Sequence, residues 1–274
     1  MSAMCRVMSV SRSGFYEWLS RPESKRSRED LVLKADIRII HQKSRQLYGE
    51  RRIKDDLADL GKVVSRKRIN RLMKEENLVC KTTRKFKATT NSRHDKPVAD
   101  NILNREFRQS QPDKAYVGDI TYIPTREGWL YLSVFIDLCS RAVVGWSMSN
   151  RMTATLVTDS LRMAMWKRRP KAGLLVHSDR GSQYVSGSYQ ELLADNDFIC
   201  SMSRKACCWD NAVAESFFHT LKTELIYHED FQTMEEAQQA IFEYIEVFYN
   251  RQRKHSTNGY LAPFSYEQQL AEVA

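Results

Sequence analysis

The chain's 274 residues suffice for one large domain or two smaller ones with a real core. Mean hydropathy is −0.54, no stretch approaches the roughly 18 apolar residues of a membrane span, and the opening MSAMCRVMSVSRSG lacks the apolar run of a secretory signal. Neither a membrane protein nor an exported one is expected. The net charge of +9 is unevenly spread: residues 1–100 hold 25 Lys and Arg against 13 Asp and Glu, the remainder 18 against 21. A basic module joined to a mildly acidic one points to polyanion binding coupled to a second task; the plain alternative is a solvated basic surface. The six cysteines, at 5, 80, 139, 200, 207 and 208, form no CxxC pair and no zinc-like spacing, so free thiols in a reducing cytosol are expected.

In chain order, Ser9–Leu19 reads as a short helix entered at Ser9 or Ser11, with Val10, Phe15 and Trp18 or Leu19 inward, like the end of a helix-turn-helix. Pro22 and the polar run Glu23–Asp30 read as a linker. Three amphipathic helices follow: Leu33, Ile37 and Ile40; then Ile53, Leu57 and Leu60; then Ile69, Leu72 and Met73. Gly49 separates the first two, Gly61 ends the second and Ser65 caps the third. The third carries Arg66, Lys67, Arg68, Arg71 and Lys74 outward, as helix-turn-helix readout of DNA requires, although basic amphipathic helices are common. Residues 1–22 thus form a partial helix-turn-helix-like segment and 23–80 a small all-helical DNA-binding domain. Residues 81–112 form a basic, threonine-rich linker suited to lie along phosphates, with a short helix expected at Asn101–Phe107.

From Ala115 the pattern changes. Ala115–Pro124, Trp129–Leu138 and Arg141–Ser149 are strand-like, and their short connections predict an antiparallel meander. A helix is expected from Thr153 to about Lys167, a strand ending at Asp179, a helix from Ser186 to Leu193 and a strand at Ile199–Ser203. A helix over Asn211–Leu225 (Val213, Phe217 and Leu221 inward) and a last one over Met234–Asn250 complete the series. The order β-β-β-α-β-α-β-α predicts an α/β, ribonuclease H-like mixed five-stranded sheet flanked by helices, preceded by the small helix-turn-helix domain. Trp129, Tyr131 and Trp146 read as sheet core, Met163 and Met165 as packing.

Three acids stand out. Asp119 interrupts the strand YVGDITYI, where a charge is costly unless solvated, paired or metal-bound. Asp179 leaves the fourth strand in LLVHSDRGSQY, where open α/β sheets place ligands, although Asp-Arg-Gly also suits an ordinary turn. Glu215 lies in the first turn of a helix, a position the helix dipole also favours. In this architecture the three converge, and their mutual repulsion calls for divalent cations: two Mg2+ ions, or Mn2+ in their place. Two such ions activate an attacking oxygen and steady a leaving one in phosphodiester chemistry. Asp137 reads as a hairpin-turn residue and Asp210 as a helix cap.

The stretches VGDITY (117–122), HSDRGSQY (177–184) and WDNA through ESF (209–217) resemble the OrfB type of bacterial insertion-sequence transposase of the two-reading-frame family, with a retroviral-integrase-like core. The 35 residues between Asp179 and Glu215 match that family's DD(35)E spacing, and Lys222 its basic residue seven positions on. The resemblance extends through Phe248–Arg251, His255–Ser256, Gly259–Tyr260 and Pro263. It implies an integrase-like catalytic domain over 113–274, with catalytic and metal-binding Asp119, Asp179 and Glu215. Tyr116, Ala206–Cys207 and Ala262 depart from its pattern. Glu215, His219 and Lys222 fall on one helix face. Pattern alone fits a solvated face equally well, whereas the resemblance places Lys222 and His219 at DNA. Arg180 suits either a phosphate contact or an ion pair.

As the resemblance implies, the protein binds the terminal inverted repeats of its element and catalyses Mg2+-dependent 3′-end cleavage and strand transfer into double-stranded target DNA. It would work as a homo-oligomer on paired ends in the bacterial cytoplasm at the nucleoid, with a possible upstream helix-turn-helix and leucine-zipper partner made as a frameshift fusion. The rival readings are a ribonuclease H-like metal-dependent nuclease without strand transfer and a non-enzymatic DNA-binding regulator.

Overall fold

The structure, a computed structural model, describes residues 2–81, 99–204 and 208–273. The expectations for most of the basic linker and for Ala206 and Cys207 lie outside these residues. The chain divides into two compact units, Met1–Lys81 and Thr82–Ala274.

The first unit is helical: α1 (Ser2–Val7), α2 (Arg12–Ser20), α3 (Lys25–Lys43), α4 (Glu50–Asp59) and α5 (Arg66–Glu75). Its core comes from the last three, with Ile37, Ile53, Leu57, Ile69 and Leu72 fully buried. Ser65 caps α5 by accepting the Arg68 N–H at 3.3 Å. Three expectations fail here. Residues Lys25–Asp30 are helix, not linker, because Ser24 caps α3 by accepting the Ser27 N–H at 3.1 Å; the polar first turns simply carry no apolar rhythm. Leu60 lies outside the core at 60% exposure, because α4 ends at Asp59 and the chain turns away through Gly61 at φ 72°. Helix α2, capped by Ser11, buries no residue, and Trp18 is 65% exposed.

Ion pairs rather than apolar contacts join the outer faces of α3 and α5. Asp30 accepts from Arg68 Nε at 2.7 Å and Arg71 Nη2 at 2.5 Å, and the Arg71 hydrogen bond, aided by Arg68, holds its carboxyl below the usual carboxylate range.

The second unit is built on a five-stranded sheet ordered β3-β2-β1-β4-β5. Strands β1 (Ala115–Thr125), β2 (Gly128–Asp137) and β3 (Val143–Ser149) form the antiparallel meander, and β4 (Leu175–Ser178) and β5 (Ile199–Met202) add in parallel to β1. Helices α6 (Ala154–Arg168) and α7 (Gly187–Ala194) are the crossovers, followed by α8 (Ala212–Glu224), α9 (Met234–Phe242) and α10 (Pro263–Val273). This is the ribonuclease H-like mixed sheet expected from the element order. Buried Asp137 turns the chain between β2 and β3, accepting the N–H groups of Cys139 and Ser140 at 2.9 and 2.8 Å.

Several local expectations are corrected. Asn101–Phe107 is not helical: Asn101 Oδ1 takes the Asn104 N–H at 2.8 Å, and Asn104 and Arg105 have positive φ. The helix expected to reach Asn250 gives way at Glu243 to a π-helical turn through Tyr249. That wider turn buries the adjacent pairs Tyr244–Ile245 and Phe248–Tyr249 together, which a regular helix separates by about 100° per residue. Trp129 is 51% exposed and edge-on to Tyr122, not in the core. Trp146 is half-buried and donates to Glu246 at 2.8 Å.

Two tests follow from this packing. A Cβ on Gly145 would sit 2.2 Å from the Ser160 carbonyl oxygen and 2.7 Å from Ala164 N, both backbone atoms of α6. Gly145→Ala should therefore lower unfolding free energy by about 1–3 kcal/mol or more in denaturant melts. In the helical unit, a carboxyl with a lowered folded-state pKa stabilises fully above its unfolded pKa and ceases to do so as pH falls through the folded one. The thermal midpoint of wild type should exceed that of Asp30→Asn at neutral pH, and the difference should close below about pH 4.

Candidate active site

The β1–β4 register sets the site. Gly118 pairs with Ser178 across the two parallel strands, so Asp119, midway along β1, and Asp179, directly after the end of β4, stand at the same level. Adjacent strands lie ~4.8 Å apart, so two like charges are held side by side. Asp119 is 8% exposed. Its carboxyl is raised well above its ordinary value by burial first, then by the negative charge of Asp179 and, less, of Glu215; its hydrogen bond from the Ile120 N–H and the charge of Lys222 pull the other way. Asp179 is half-buried, and its Oδ1 accepts the Gly181 N–H at 2.8 Å. A Cβ on Gly181 would lie 3.0 Å from that same oxygen, so the glycine keeps the turn close under the carboxylate. Beneath the two acids Tyr184 is buried; burial, then the charges of Asp119 and Asp179, push its phenol well above its ordinary value.

Helix α8 supplies the third acid. Its buried seam is Ala214, Phe217, Phe218 and Leu221, and Val213 is only half-buried. Glu215, exposed beside that seam, has its carboxyl raised by partial desolvation. Two turns on, Lys222 Nζ sits 4.9 Å from the centroid of the Tyr122 ring. Burial lowers the Lys222 ammonium, while Tyr122 and Asp119 oppose that shift. Lys222 therefore belongs to the same electrostatic cluster as Asp119. His219 is exposed and makes no side-chain hydrogen bond to a described residue. Arg180 donates from Nε to the Ser203 carbonyl at 2.6 Å, tying the turn after β4 to the end of β5. Among the described residues no three His, Cys, Asp or Glu side chains close on one metal position. The three carboxylates are hard oxygen donors, the type that hard divalent cations take.

Similarity to known proteins adds the family. Residues 109–208 and 215–270 match models described as integrase core domain, and residues 27–86 match an HTH-like domain. The chain is 44% identical over 269 residues to transposase InsF of insertion sequence IS3A from Escherichia coli, covering 97% of this chain and 93% of that one. It is 45% identical over 271 residues to the insertion element IS600 uncharacterized 31 kDa protein of Shigella sonnei, covering 99% and 100%. The chain belongs to the InsF family of insertion-sequence transposases. It is a DDE transposase, a polynucleotidyl transferase. Among solved structures, a chain of the simian T-cell lymphotropic virus intasome aligns with a TM-score of 0.50 at 15% identity, covering 83% of this chain and 73% of that one, a likeness of fold alone.

In this transposase Asp210 is not a helix cap. It is fully buried and accepts from Asn101 Nδ2 at 2.8 Å, Arg105 Nε at 2.7 Å and Arg204 Nε at 3.0 Å, besides the Arg204 N–H at 3.0 Å. Burial opposes its ionisation, but Arg204 and Arg105 together hold its carboxyl well below the usual range. The next residue, Asn211, donates to the Gly118 carbonyl beside Asp119 at 3.4 Å. Nearby, His177 is fully buried between Ser201 Oγ at 2.9 Å and Ser203 Oγ at 3.3 Å, and burial lowers its imidazole to about 4, so it is neutral. This network sets where α8 starts and hence where Glu215 stands. Sequence pattern missed it because Asn101 and Arg105 lie about a hundred residues from Asp210, while Arg204, six positions before it, falls at no helical or strand spacing that marks a pair. Asp210→Ala should cost about 1–3 kcal/mol, the half-exposed guanidiniums being partly screened. It should slow end cleavage on the order of 100-fold through misplacement of Glu215. Denaturant melts and single-turnover cleavage check the two effects.

In the helical unit the three arginine candidates are engaged by acids. Arg66 pairs with Glu50 at 2.9 Å, Arg68 with Asp30 and Glu29, and Arg71 with Asp30 and Glu75. Lys67 has no such partner among the described residues.

Proposed function

We propose that Asp119, Asp179 and Glu215 are the catalytic residues of this transposase, and that the reaction is cleavage at the 3′ ends of the element followed by strand transfer. The observation that carries this reading is the placement of Asp119 and Asp179 at one level on adjacent parallel strands, with Glu215 and Lys222 within range of Asp119's carboxyl. Asp119, Asp179 and Glu215 would together hold the divalent cations. Mg2+ ions bound there, or Mn2+ in their place, supply activation of the attacking oxygen and charge relief at the leaving one. The chain's own part is to hold acids that would otherwise repel, and a bound cation removes that repulsion.

Lys222 presents its ammonium at the rim, packed on Tyr122, where it can meet a phosphate of the DNA end. His219 lies one turn closer to Glu215 on the same helix and borders that phosphate path, and Arg180 braces the turn carrying Asp179. The helical unit holds the terminal inverted repeats through α5. Strand transfer requires two ends at once, so the working form is a homo-oligomer on paired ends, made alone or as a fusion with an upstream helix-turn-helix and leucine-zipper partner. No described helix is long and apolar enough to cross a membrane, and the site of action is bacterial DNA in the cytoplasm.

Asp119→Asn, Asp179→Asn and Glu215→Gln should each remove Mg2+-dependent cleavage of a labelled end duplex while duplex binding persists. Near-normal strand transfer by any one of them would reject its catalytic role, and products that stop at cleavage in wild type would favour a nuclease.

A further inference from the structure

Helix α5 carries two polar faces, not one. At about 100° per residue, Arg68, Arg71 and Glu75 fall within an arc of roughly 60°, and Lys67, Asn70 and Lys74 within another of the same width. The first face is spent on α3. Asp30, whose side chain is only 13% exposed, takes both arginines, Glu75 takes Arg71 at 2.6 Å, and Lys34 of α3 reaches Glu75 at 3.1 Å. Arg66, on the α4 side, is held by Glu50. The second face points away from the Ile69–Leu72–Met73 seam, and Lys67, Asn70 and Lys74 are all exposed. Their side chains make no hydrogen bond or ion pair to any described residue.

We infer that the DNA-reading surface of the helical unit is the Lys67–Asn70–Lys74 face, and that Arg66, Arg68 and Arg71 hold the helices together instead of contacting DNA. The inference rests on the reading of this unit as the binder of the element's ends. Two ammonium groups without carboxylate partners meet backbone phosphates at no cost in broken ion pairs. Between them Asn70 offers a side-chain amide, which reads adenine in the major groove through its N6 and N7 positions. The paired arginines could reach a phosphate only by giving up carboxylates that stay behind as like-signed neighbours of the DNA.

The test uses the full chain, a duplex copied from one end of the element as read from the DNA flanking its reading frame, and a scrambled duplex of equal composition. Lys67→Gln and Lys74→Gln should each weaken binding to both duplexes and reduce the slope of log affinity against log salt by about 1. Asn70→Ala should cut the preference for the end duplex roughly 5- to 150-fold while leaving binding to the scrambled one unchanged. Arg68→Met and Asp30→Asn should lower the thermal midpoint yet bind the end duplex within about twofold of wild type below that midpoint. Because the three outer-face residues are exposed, their variants should melt as wild type does, which keeps folding and binding separate.

Unchanged binding in all three outer-face variants overturns the inference, as does a loss of affinity in Arg68→Met at unchanged thermal midpoint. If the wild-type chain does not distinguish the two duplexes, the reading of the unit as the end binder fails and takes the inference with it. If it does distinguish them while the outer-face variants match wild type, only the inference fails.

Discussion

Two carboxylates fixed at the same level on adjacent parallel strands are the constraint on which the catalytic unit depends. The backbone ladder of β1 and β4 runs up to the Gly118–Ser178 pair, the residues directly before the two acids, and so sets where both carboxylates start. Water is largely excluded at Asp119, which makes the repulsion stronger than it would be on a surface. Burial and like charge act in the same direction on its carboxyl, and the Ile120 N–H and, less, the charge of Lys222 oppose them. Such tension persists because the sheet around it is rigid, and neutralising the charge of either acid would relieve it.

Much of the rest of this unit serves to keep that level fixed. Asn250 acts as a strand substitute at the sheet edge: its side-chain amide accepts the Val143 N–H and donates to the Val143 carbonyl, both at 2.9 Å. The π-helical turn that precedes Asn250 packs Tyr249 edge-on against Phe217 of α8 at 4.9 Å. The end of α8 is secured by a buried ion pair, Glu224 with Arg253, whose Oε2 and Oε1 take Nε at 2.8 Å and Nη2 at 2.7 Å. Such a pair adds little net stability against an apolar substitute but is costly to break on one side only. It therefore fixes the helix's position more than it strengthens the fold. With Asp210 holding the start of α8 and Glu224 its end, Glu215 lies between two charged anchors.

The helical unit follows a different logic. Its apolar seam is short, and ion pairs along α3 and α5 do work that larger domains assign to packing. Positive charge counted along the sequence therefore overstated what is free for DNA. Arg68 and Arg71 look identical to Lys67 and Lys74 in a linear reading. The approach of Asp30, some forty positions earlier, with Glu29 and Glu75 beside it, distinguishes them.

The strands were legible because alternation and short turns are local. Helix α5 was legible from its Ser65 cap for the same reason; α7 starts after Ser186 as read, but the Ser186 hydroxyl donates to the Gln183 carbonyl at 2.7 Å and caps nothing. The three acids could be picked out because a charge inside an apolar strand is anomalous wherever the strand lies, and because their spacing resembles a known family. Where polar residues lacked periodicity, as in the first turns of α3, or where a turn mimicked a helix, as at Asn101–Phe107, local pattern misled. By itself, then, the sequence determined the order of the strands and the family, and singled out three candidate acids. Tertiary structure alone decided the other charge meetings: Asp210 with Arg105 and Arg204, and Asp30 with Arg68 and Arg71. Electrostatic interaction depends on distance through space, and the chain's linear order does not carry it.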